Sequence, residues 1–458
     1  MDLLTTLNSL LNLWRPAFCK GQAFARAKEH AYACLCGFGR KTITNLAIYL
    51  GRDQSDITAD YKLYGNSKWD TSAIFDPLMN EAVKLIDDDY IPIASDDTII
   101  HKTGKKIPFT SWRRDPMSPA FHTNLVWGLR FLQFSITMPL YNNISQTPSR
   151  AVPIRFADAP SIKKPGKKAT EEEWGNYKKA IKTYNLSTIY IDNVREIRRS
   201  LDLLGYADKT IMMTTDASFC NKTCLQADIS RVHSVSRCRR HIKLCFPAPS
   251  GGRRVYDKRK FTPEDIRTDD NISWKTARTF YGGEWREIRY KEVTNVLWQN
   301  GSKRRPLRAI VIAPIPYVRG GKRNYREPAF LLCTDPVCAI EKIIQYYLDH
   351  FQIEYNHRDE KSILGVGQAQ VRNERSVYKQ PALHVASYSA LLLANIMVYK
   401  DQHHRDFGPQ PCWRKDPKRN TTRALIGLLR KNLLETPERI VEIGLTPPII
   451  AVILSKVA

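Results

Sequence analysis

Residues 91–100 read IPIASDDTII, a run of apolar and β-branched residues that the acidic pair Asp96-Asp97 interrupts. This composition predicts a buried β-strand. A carboxylate inside an apolar strand is costly unless it is paired or binds a metal ion, so the pair marks the strand as a candidate functional element. Because side chains alternate along a strand, only one of the two carboxylates can project from a given face of the sheet.

Two further acidic residues stand out downstream. Residues 210–215, TIMMTT, predict a second short apolar strand, and Asp216 follows it directly. Glu354 lies on a long helix predicted over residues 337–364. Carboxylates from separate elements can together hold two divalent cations, which activate an attacking oxygen and stabilise the leaving oxygen of a phosphodiester.

The predicted helix places other functional groups on the same face as Glu354, at about 100° per residue. The side chains within an arc of about 60° that includes Glu354 are Tyr347, His350 and Lys361. Arg358 is close to the same face and could orient the carboxylate. Asp349 and Glu360 project well away, which favours Glu354 as the metal ligand. The alternative is a solvated helix face with charge pairs between successive turns.

These motifs resemble those of the DDE transposases from one large group of bacterial insertion sequences. The group's signature is Tyr-x2-Arg-x3-Glu-x6-Lys, and the chain matches it from Tyr347 to Lys361, with His350 in the Arg position. This departure makes a phosphate-binding role at His350 sensitive to pH. The likeness runs from about residue 20 to residue 400.

The acidic residues on the strands match the same family. Its first Asp follows an apolar strand and precedes Thr or Ser, as Asp97 precedes Thr98. Its second Asp follows another apolar strand, as Asp216 does. Members insert a β-rich segment between the second Asp and the Glu, and the interval from Asp216 to Glu354 is long enough for one.

The resemblance implies an α/β fold with an RNase H-like catalytic core, in which Asp97, Asp216 and Glu354 are catalytic and bind two Mg²⁺ or Mn²⁺ ions. Asp96 stays open as the alternative to Asp97. The implied activity is cleavage of double-stranded DNA at transposon ends, followed by joining of the freed 3′ hydroxyl to target DNA, with a homodimer in the synaptic complex. Two alternatives remain: a related nuclease without strand transfer, and a domesticated DNA-binding protein with an inert site.

Composition independently indicates a polyanionic partner. The 458 residues contain 71 Lys and Arg against 46 Asp and Glu, a formal net charge of +25. Two sets of residues are predicted to contact DNA. Those near Glu354 are Tyr347, His350, Arg358 and Lys361, and the cations elsewhere are Arg239, Arg240, Lys303, Arg304 and Arg305. In the family, an aromatic residue often holds a flipped base, and Trp298 is the candidate here. A core role for Trp298 is the alternative.

The remaining features concern location. The ten cysteines follow no metal-binding or disulfide pattern and indicate reduced intracellular thiols, with a structural zinc site as the alternative. The N-terminus is a poor signal peptide. The apolar stretch 383–399 predicts a buried helix rather than a membrane span. We therefore expect a cytoplasmic bacterial protein without a membrane partner, associated with the nucleoid when bound to DNA.

Five regions are predicted along the chain. They are a helical N-terminal domain (1–88), the first part of the core (89–227), a basic β-rich insertion (228–334), the second part of the core with the Glu354 helix (335–402) and a basic helical C-terminal region (403–458). The N-terminal helices are either a helix-turn-helix unit or a plain bundle. Asn300-Gly301 predicts a hairpin turn within the insertion.

Overall fold

The structure is a computed structural model that describes residues 2–115, 117–119, 121–140, 149–249, 253–400, 405–407, 412, 419–435, 441 and 444. A helix predicted over residues 437–443 and most of a basic loop predicted over residues 403–423 lie outside the described residues.

The β-strands carry the candidate site. Their bounds are β1 (Tyr90–His101), β2 (Ser111–Arg114), β3 (Leu125–Pro139), β4 (Ser149–Asp158), β5 (Thr210–Thr215), β6 (Val232–Arg237), β7 (Lys275–Tyr281), β8 (Glu284–Val296), β9 (Leu307–Ile312), β10 (Pro316–Arg319), β11 (Lys322–Tyr325) and β12 (Ala329–Cys333).

One large mixed sheet dominates the described part of the chain. Its ten strands run in the order β2-β3-β1-β5-β6-β12-β9-β8-β7, with β4 paired to β3. β3 is antiparallel to β1 and β4, whereas β5 is parallel to β1 and β6. β12, β9, β8 and β7 extend the sheet with antiparallel pairings. The predicted α/β class is therefore confirmed.

Helices cover this sheet. Their bounds are α1 (Leu3–Asn12), α2 (Gly21–Cys36), α3 (Ile43–Tyr49), α4 (Thr58–Gly65), α5 (Ser72–Val83), α6 (Glu171–Thr183), α7 (Leu186–Leu203), α8 (Lys222–Leu225), α9 (Pro263–Thr268), α10 (Ile340–Asp349), α11 (Gln352–Ser362), α12 (Glu374–Tyr399) and α13 (Thr422–Glu435).

The two faces of the sheet pack against different helices because side chains alternate along each strand. Ile211 and Met213 of β5 belong to the main core, together with α7 residues and α12. Met212 lies in a second cluster with Ile343 and Ile344 of α10. The N-terminal helices α1 to α5 contribute apolar residues to the main core, so residues 1–88 are helical as predicted and share that core.

α12 is the longest helix of the described residues. It is long and apolar enough to cross a membrane, but 89% of its most apolar window is buried inside the protein. Its first turn is capped by Asn373, whose Oδ1 accepts hydrogen bonds from the N–H groups of Arg375 and Ser376. The helix thus begins at Glu374, before the apolar stretch 383–399 that predicts it, and it is buried as expected.

Two predictions about the segment before α12 and about the β-rich region need correction. The single helix predicted over residues 337–364 is two helices, because α10 ends at Asp349 and α11 begins at Gln352. The β-rich segment predicted over residues 228–334 extends the same sheet as β1 and β5 through β6, β12, β9, β8 and β7. The residues Asn300-Gly301, predicted as a hairpin turn, lie in the connection 297–306 between antiparallel β8 and β9.

Candidate active site

Asp96 and Asp216 are neighbours on parallel strands. Ser95 of β1 is paired with Thr215, the last residue of β5, so the next residues along the two strands are Asp96 and Asp216. Neighbouring residues in such a register project from the same face. Asp216 also accepts hydrogen bonds from the N–H and the hydroxyl of Ser218, at 2.9 and 2.6 Å.

Asp97 projects from the opposite face of β1, as the alternation requires. Its Oδ2 atom lies 3.0 Å from Nε of Arg130 on β3, which forms an ion pair with it. The register explains this pair, because Arg130 is opposite Ile99, two residues from Asp97 on the same face. Of the two adjacent carboxylates, the register therefore favours Asp96 as the partner of Asp216. The assignment of Asp97 as the catalytic residue stays a prediction.

α11 lies across β1 and brings His357 to Asp96. The Nε2 atom of His357 is 3.7 Å from Oδ2 of Asp96, and its Nδ1 atom is 3.5 Å from Oε2 of Glu360. Glu360 is almost fully buried, at 2% exposure. Glu360 is thus buried beside His357, whereas Glu354 is exposed, so the two side chains project in different directions from the helix, as expected.

Glu354 occupies the first turn of α11 and is exposed. Its carboxylate forms no side-chain hydrogen bond or ion pair with the described residues. Partial desolvation raises the pKa of Glu354, and the charges of His357 and Arg326 oppose the rise. The charge of His357 thus acts on both Glu354 and Asp96. One helical turn separates Glu354 from His357, which places both on the same helix face.

Lys361 completes this face of α11. Desolvation of its ammonium group lowers the pKa of Lys361, and the carboxylates of Glu360, Asp96 and Asp97 act in the opposite direction. The cation is thus close to the acidic cluster. The grouping of Lys361 with Glu354 stays a prediction, since the carboxylates that act on Lys361 are those of Glu360, Asp96, Asp97 and Asp115.

His350 follows α10 and lies in the break before α11, and Tyr347 lies in the last turn of α10. Nδ1 of His350 lies 3.4 Å from Oγ1 of Thr214. Burial lowers the pKa of His350 to about 4, while the charge of Asp216 opposes the shift. Tyr347 packs against the second cluster, which contains Ile343 and Ile344 of α10. Burial raises the pKa of Tyr347, and the charge of Arg237 opposes this rise. His350 is therefore neutral at pH 7 and adjacent to Asp216.

Arg358 does not orient Glu354, in contrast to the expectation. Its guanidinium donates two hydrogen bonds to Oδ1 of Asp359, at 2.9 and 3.0 Å. The second oxygen of Asp359 accepts a hydrogen bond from Thr422 at 2.6 Å. Arg358 therefore pairs with the carboxylate of Asp359, its neighbour along the chain, rather than with that of Glu354.

The acidic strand pair is electrostatically strained, because like charges lie close together. Desolvation raises the pKa of Asp96 to about 6, and the charges of Asp97 and Asp216 add to the rise against the effect of His357. Desolvation also raises the pKa of Asp97, and the charge of Asp216 adds to this rise against the effects of Arg130 and His357. A cation bound at this position would relieve the repulsion.

Lys102 fixes the loop after α11 to the end of β1. Its buried ammonium group donates hydrogen bonds to the carbonyls of Gly367 and Ala369, at 2.6 and 2.7 Å. Desolvation lowers the pKa of Lys102 to about 8. These bonds hold the chain that leaves α11 against the strand that carries Asp96, so Lys102 positions the two elements of the site.

The predicted DNA-contacting cations differ in availability. Those on the surface are Arg239, Arg240, Lys303 and Arg304. Arg305 instead donates hydrogen bonds to the carbonyls of Leu225 and Ala227, at 3.4 and 3.0 Å. Trp298 is half-buried, and a Cβ at Gly301 would come within 2.0 Å of its ring. Gly301 therefore covers one side of the indole, while a stacking role stays a prediction.

The donor set suits a hard divalent cation. No group of three or more His, Cys, Asp or Glu side chains placed to hold a metal ion occurs within the described ranges. Asp96 and Asp216 nevertheless supply oxygen ligands from one face, and Mg²⁺ needs only one or two protein carboxylates. Beside them, Nε2 of His357 and Oε1 of Glu360 are buried without a hydrogen-bond partner. The site therefore has unsatisfied polar groups around two adjacent carboxylates.

Sequence reasoning missed His357. The signal for His357 was present, because it lies one helical turn after Glu354 on the same helix.

No protein-family model matches the chain, and no curated protein matches it significantly.

Proposed function

We propose that the chain is a metal-dependent DNA transposase with an RNase H-like core. The observation that carries this proposal is the convergence of Asp96 and Asp216, from neighbouring parallel strands, with α11, which lies across β1 and carries Glu354. Two acids side by side on adjacent strands and a third on a crossing helix are the arrangement that the family resemblance implies. The topology supports the proposal independently of the motifs that suggested it.

The residues that would hold two Mg²⁺ or Mn²⁺ ions are Asp216, Glu354 and one of the pair Asp96 and Asp97. Bound ions would supply activation of the attacking oxygen and stabilisation of the leaving oxygen. Two further side chains of the chain would also act at the site. Lys361 offers a cation to the phosphate beside the scissile bond, and neutral His350 offers a ring nitrogen close to Asp216.

Double-stranded DNA is the proposed partner, both as transposon end and as target. The net charge of +25 supplies long-range attraction to a polyanion. The exposed cations Arg239, Arg240, Lys303 and Arg304 lie in the basic segment after β6 and in the turn between β8 and β9. Contacts of this kind give affinity that falls steeply with salt. A homodimer would hold the two ends together in the cytoplasm.

The test is incubation of the full chain with Mg²⁺ and linear duplexes that carry the DNA flanking its gene. Cleavage at the ends followed by joining to a second duplex is the expected result. Cleavage without joining would instead support a nuclease. Salt-sensitive binding without cleavage would overturn the enzymatic proposal and leave a DNA-binding protein.

A further inference from the structure

A two-stranded hairpin, β10 with β11, stands apart from the large sheet. Its strands pair only with each other among the described residues, from Pro316 opposite Tyr325 to Arg319 opposite Lys322. Gly320 and Gly321 form the turn, with φ of 57° and 73°, which suits the tight turn that matches strand twist. Val318 is 74% exposed and Tyr325 is 58% exposed. An isolated hairpin is marginally stable in water, so such exposure calls for a partner.

The charge of this hairpin defines that partner. Residues 316–326 contain four cations and no acid, and the cations are Arg319, Lys322, Arg323 and Arg326. Arg319 and Lys322 are directly opposite each other across the strand pair, where like charges are unfavourable. A polyanion along the hairpin would remove this repulsion. A second copy of the same hairpin would increase it.

The base of the hairpin is fixed to β7 and β8. The N–H of Arg326 donates a hydrogen bond to the carbonyl of Ile315 at 2.9 Å, and Arg286 donates to the carbonyl of Pro316 at 3.1 Å. The guanidinium of Arg326 lies 5.5 Å from the ring centre of Tyr281. Tyr281 and Ile315 pack against the cluster that contains α10, the helix that precedes α11. The hairpin therefore extends from a base held against the large sheet on the side of α10.

We propose that the β10–β11 hairpin is a β-ribbon that lies in a groove of the duplex DNA bound at the acidic site. The inference rests on the proposed function, because it takes the same DNA as partner. A two-stranded ribbon fits the major groove of B-DNA. Arg319 and Lys322 project from one face of the ribbon and Arg323 from the other, so the ribbon presents cations to the phosphates on both groove edges.

The test compares two variants of the full chain with equal loss of charge. One carries Arg319→Gln, Lys322→Gln and Arg323→Gln on the hairpin. The control carries Lys178→Gln, Lys179→Gln and Lys182→Gln, which are exposed cations of α6. The readout is fluorescence anisotropy with a labelled linear duplex of arbitrary sequence at several salt concentrations. Thermal melting verifies that both variants are folded.

We expect the hairpin variant to bind more weakly, with a slope of log K against log salt that is smaller in magnitude by about 2 to 3, since each phosphate contact contributes about 0.9. The α6 control should keep the slope of the unmodified chain. Equal slopes for the hairpin variant and the unmodified chain, or equal losses for both variants, would overturn the hairpin assignment. Failure of the unmodified chain to bind the duplex would instead overturn the proposed function.

Discussion

Asp96 and Asp216 lie at the same level on parallel strands, because the preceding residues, Ser95 and Thr215, are a register pair. The two carboxylates therefore share the face on which α11 packs, whereas Asp97 projects from the other face and pairs with Arg130. The family resemblance assigns the first catalytic acid to Asp97, and the register favours Asp96. Separate substitutions of Asp96 and Asp97 distinguish the two assignments.

Asp96→Asn should reduce DNA cleavage more than about 100-fold, since loss of even an outer-shell partner typically costs 10- to 100-fold. Asp97→Asn should cost less, because it removes an ion pair with Arg130 rather than a ligand. The measurement is the initial rate of end cleavage with Mg²⁺. The reverse order of losses would make Asp97 the ligand, as the resemblance implies.

Glu354 and Glu360 are separated by the same kind of pairwise test. Glu354→Gln should abolish cleavage without changing the melting temperature, because its exposed carboxylate forms no side-chain hydrogen bond or ion pair with the described residues. Glu360→Gln should keep activity, since Glu360 is buried beside His357. Full activity of Glu354→Gln together with loss of activity in Glu360→Gln would transfer the metal-ligand role to Glu360.

Asp349 provides a pH-dependent contribution to stability. Desolvation raises the pKa of Asp349 to about 7, and Gln345 donates a hydrogen bond to its carboxyl at 3.1 Å. Because the pKa in the folded state exceeds that in the unfolded state, this stability is present at acidic pH and is lost as pH rises to about 7. Asp349→Asn should therefore remove this loss of stability with rising pH.

The measurement for Asp349 is the melting temperature at pH 5 and at pH 8. Relative to the unmodified chain, Asp349→Asn should be more stabilising at pH 8 than at pH 5, by about 2 to 3 kcal/mol of unfolding free energy. An equal effect of the substitution at both pH values would show that Asp349 titrates normally.

Lys102 should be essential for stability rather than for chemistry. Lys102→Met preserves the apolar stem but leaves the carbonyls of Gly367 and Ala369 without their donor, at a cost of about 2 to 4 kcal/mol. Lys361→Met is the control, because Lys361 is solvent-exposed and should change activity without lowering the melting temperature. A Lys102→Met variant as thermostable as the unmodified chain would contradict this role.

Much of the fold follows from local pattern. The strand predicted over residues 210–215 has those bounds in the structure. β4 was not predicted, because Arg150, Pro153 and Arg155 break its apolar pattern. Both cations are satisfied only by distant partners: Arg150 by the carbonyl of Asn420 and Arg155 by Asp76. Local sequence does not contain that information.

The site was predictable in kind but not in register. Spacing indicated acids on two strands and one helix, whereas the choice between Asp96 and Asp97 depends on how β1 aligns with β5. The break between α10 and α11 also alters the face calculation, because residues on either side no longer share one helix. His357 lies after the break, on the same helix as Glu354, and could have been found by spacing alone.

The central claim is that the carboxylates of Asp216, after β5, and of the pair Asp96-Asp97 on β1 bind a hard divalent cation. Titration calorimetry with Mn²⁺ on the full chain tests it most directly, with Asp208→Asn, an exposed acid, as the charge-matched control. We predict that the unmodified chain and the control bind Mn²⁺ and that Asp216→Asn, still folded, does not. Binding of Mn²⁺ with unchanged affinity by Asp216→Asn would contradict the claim.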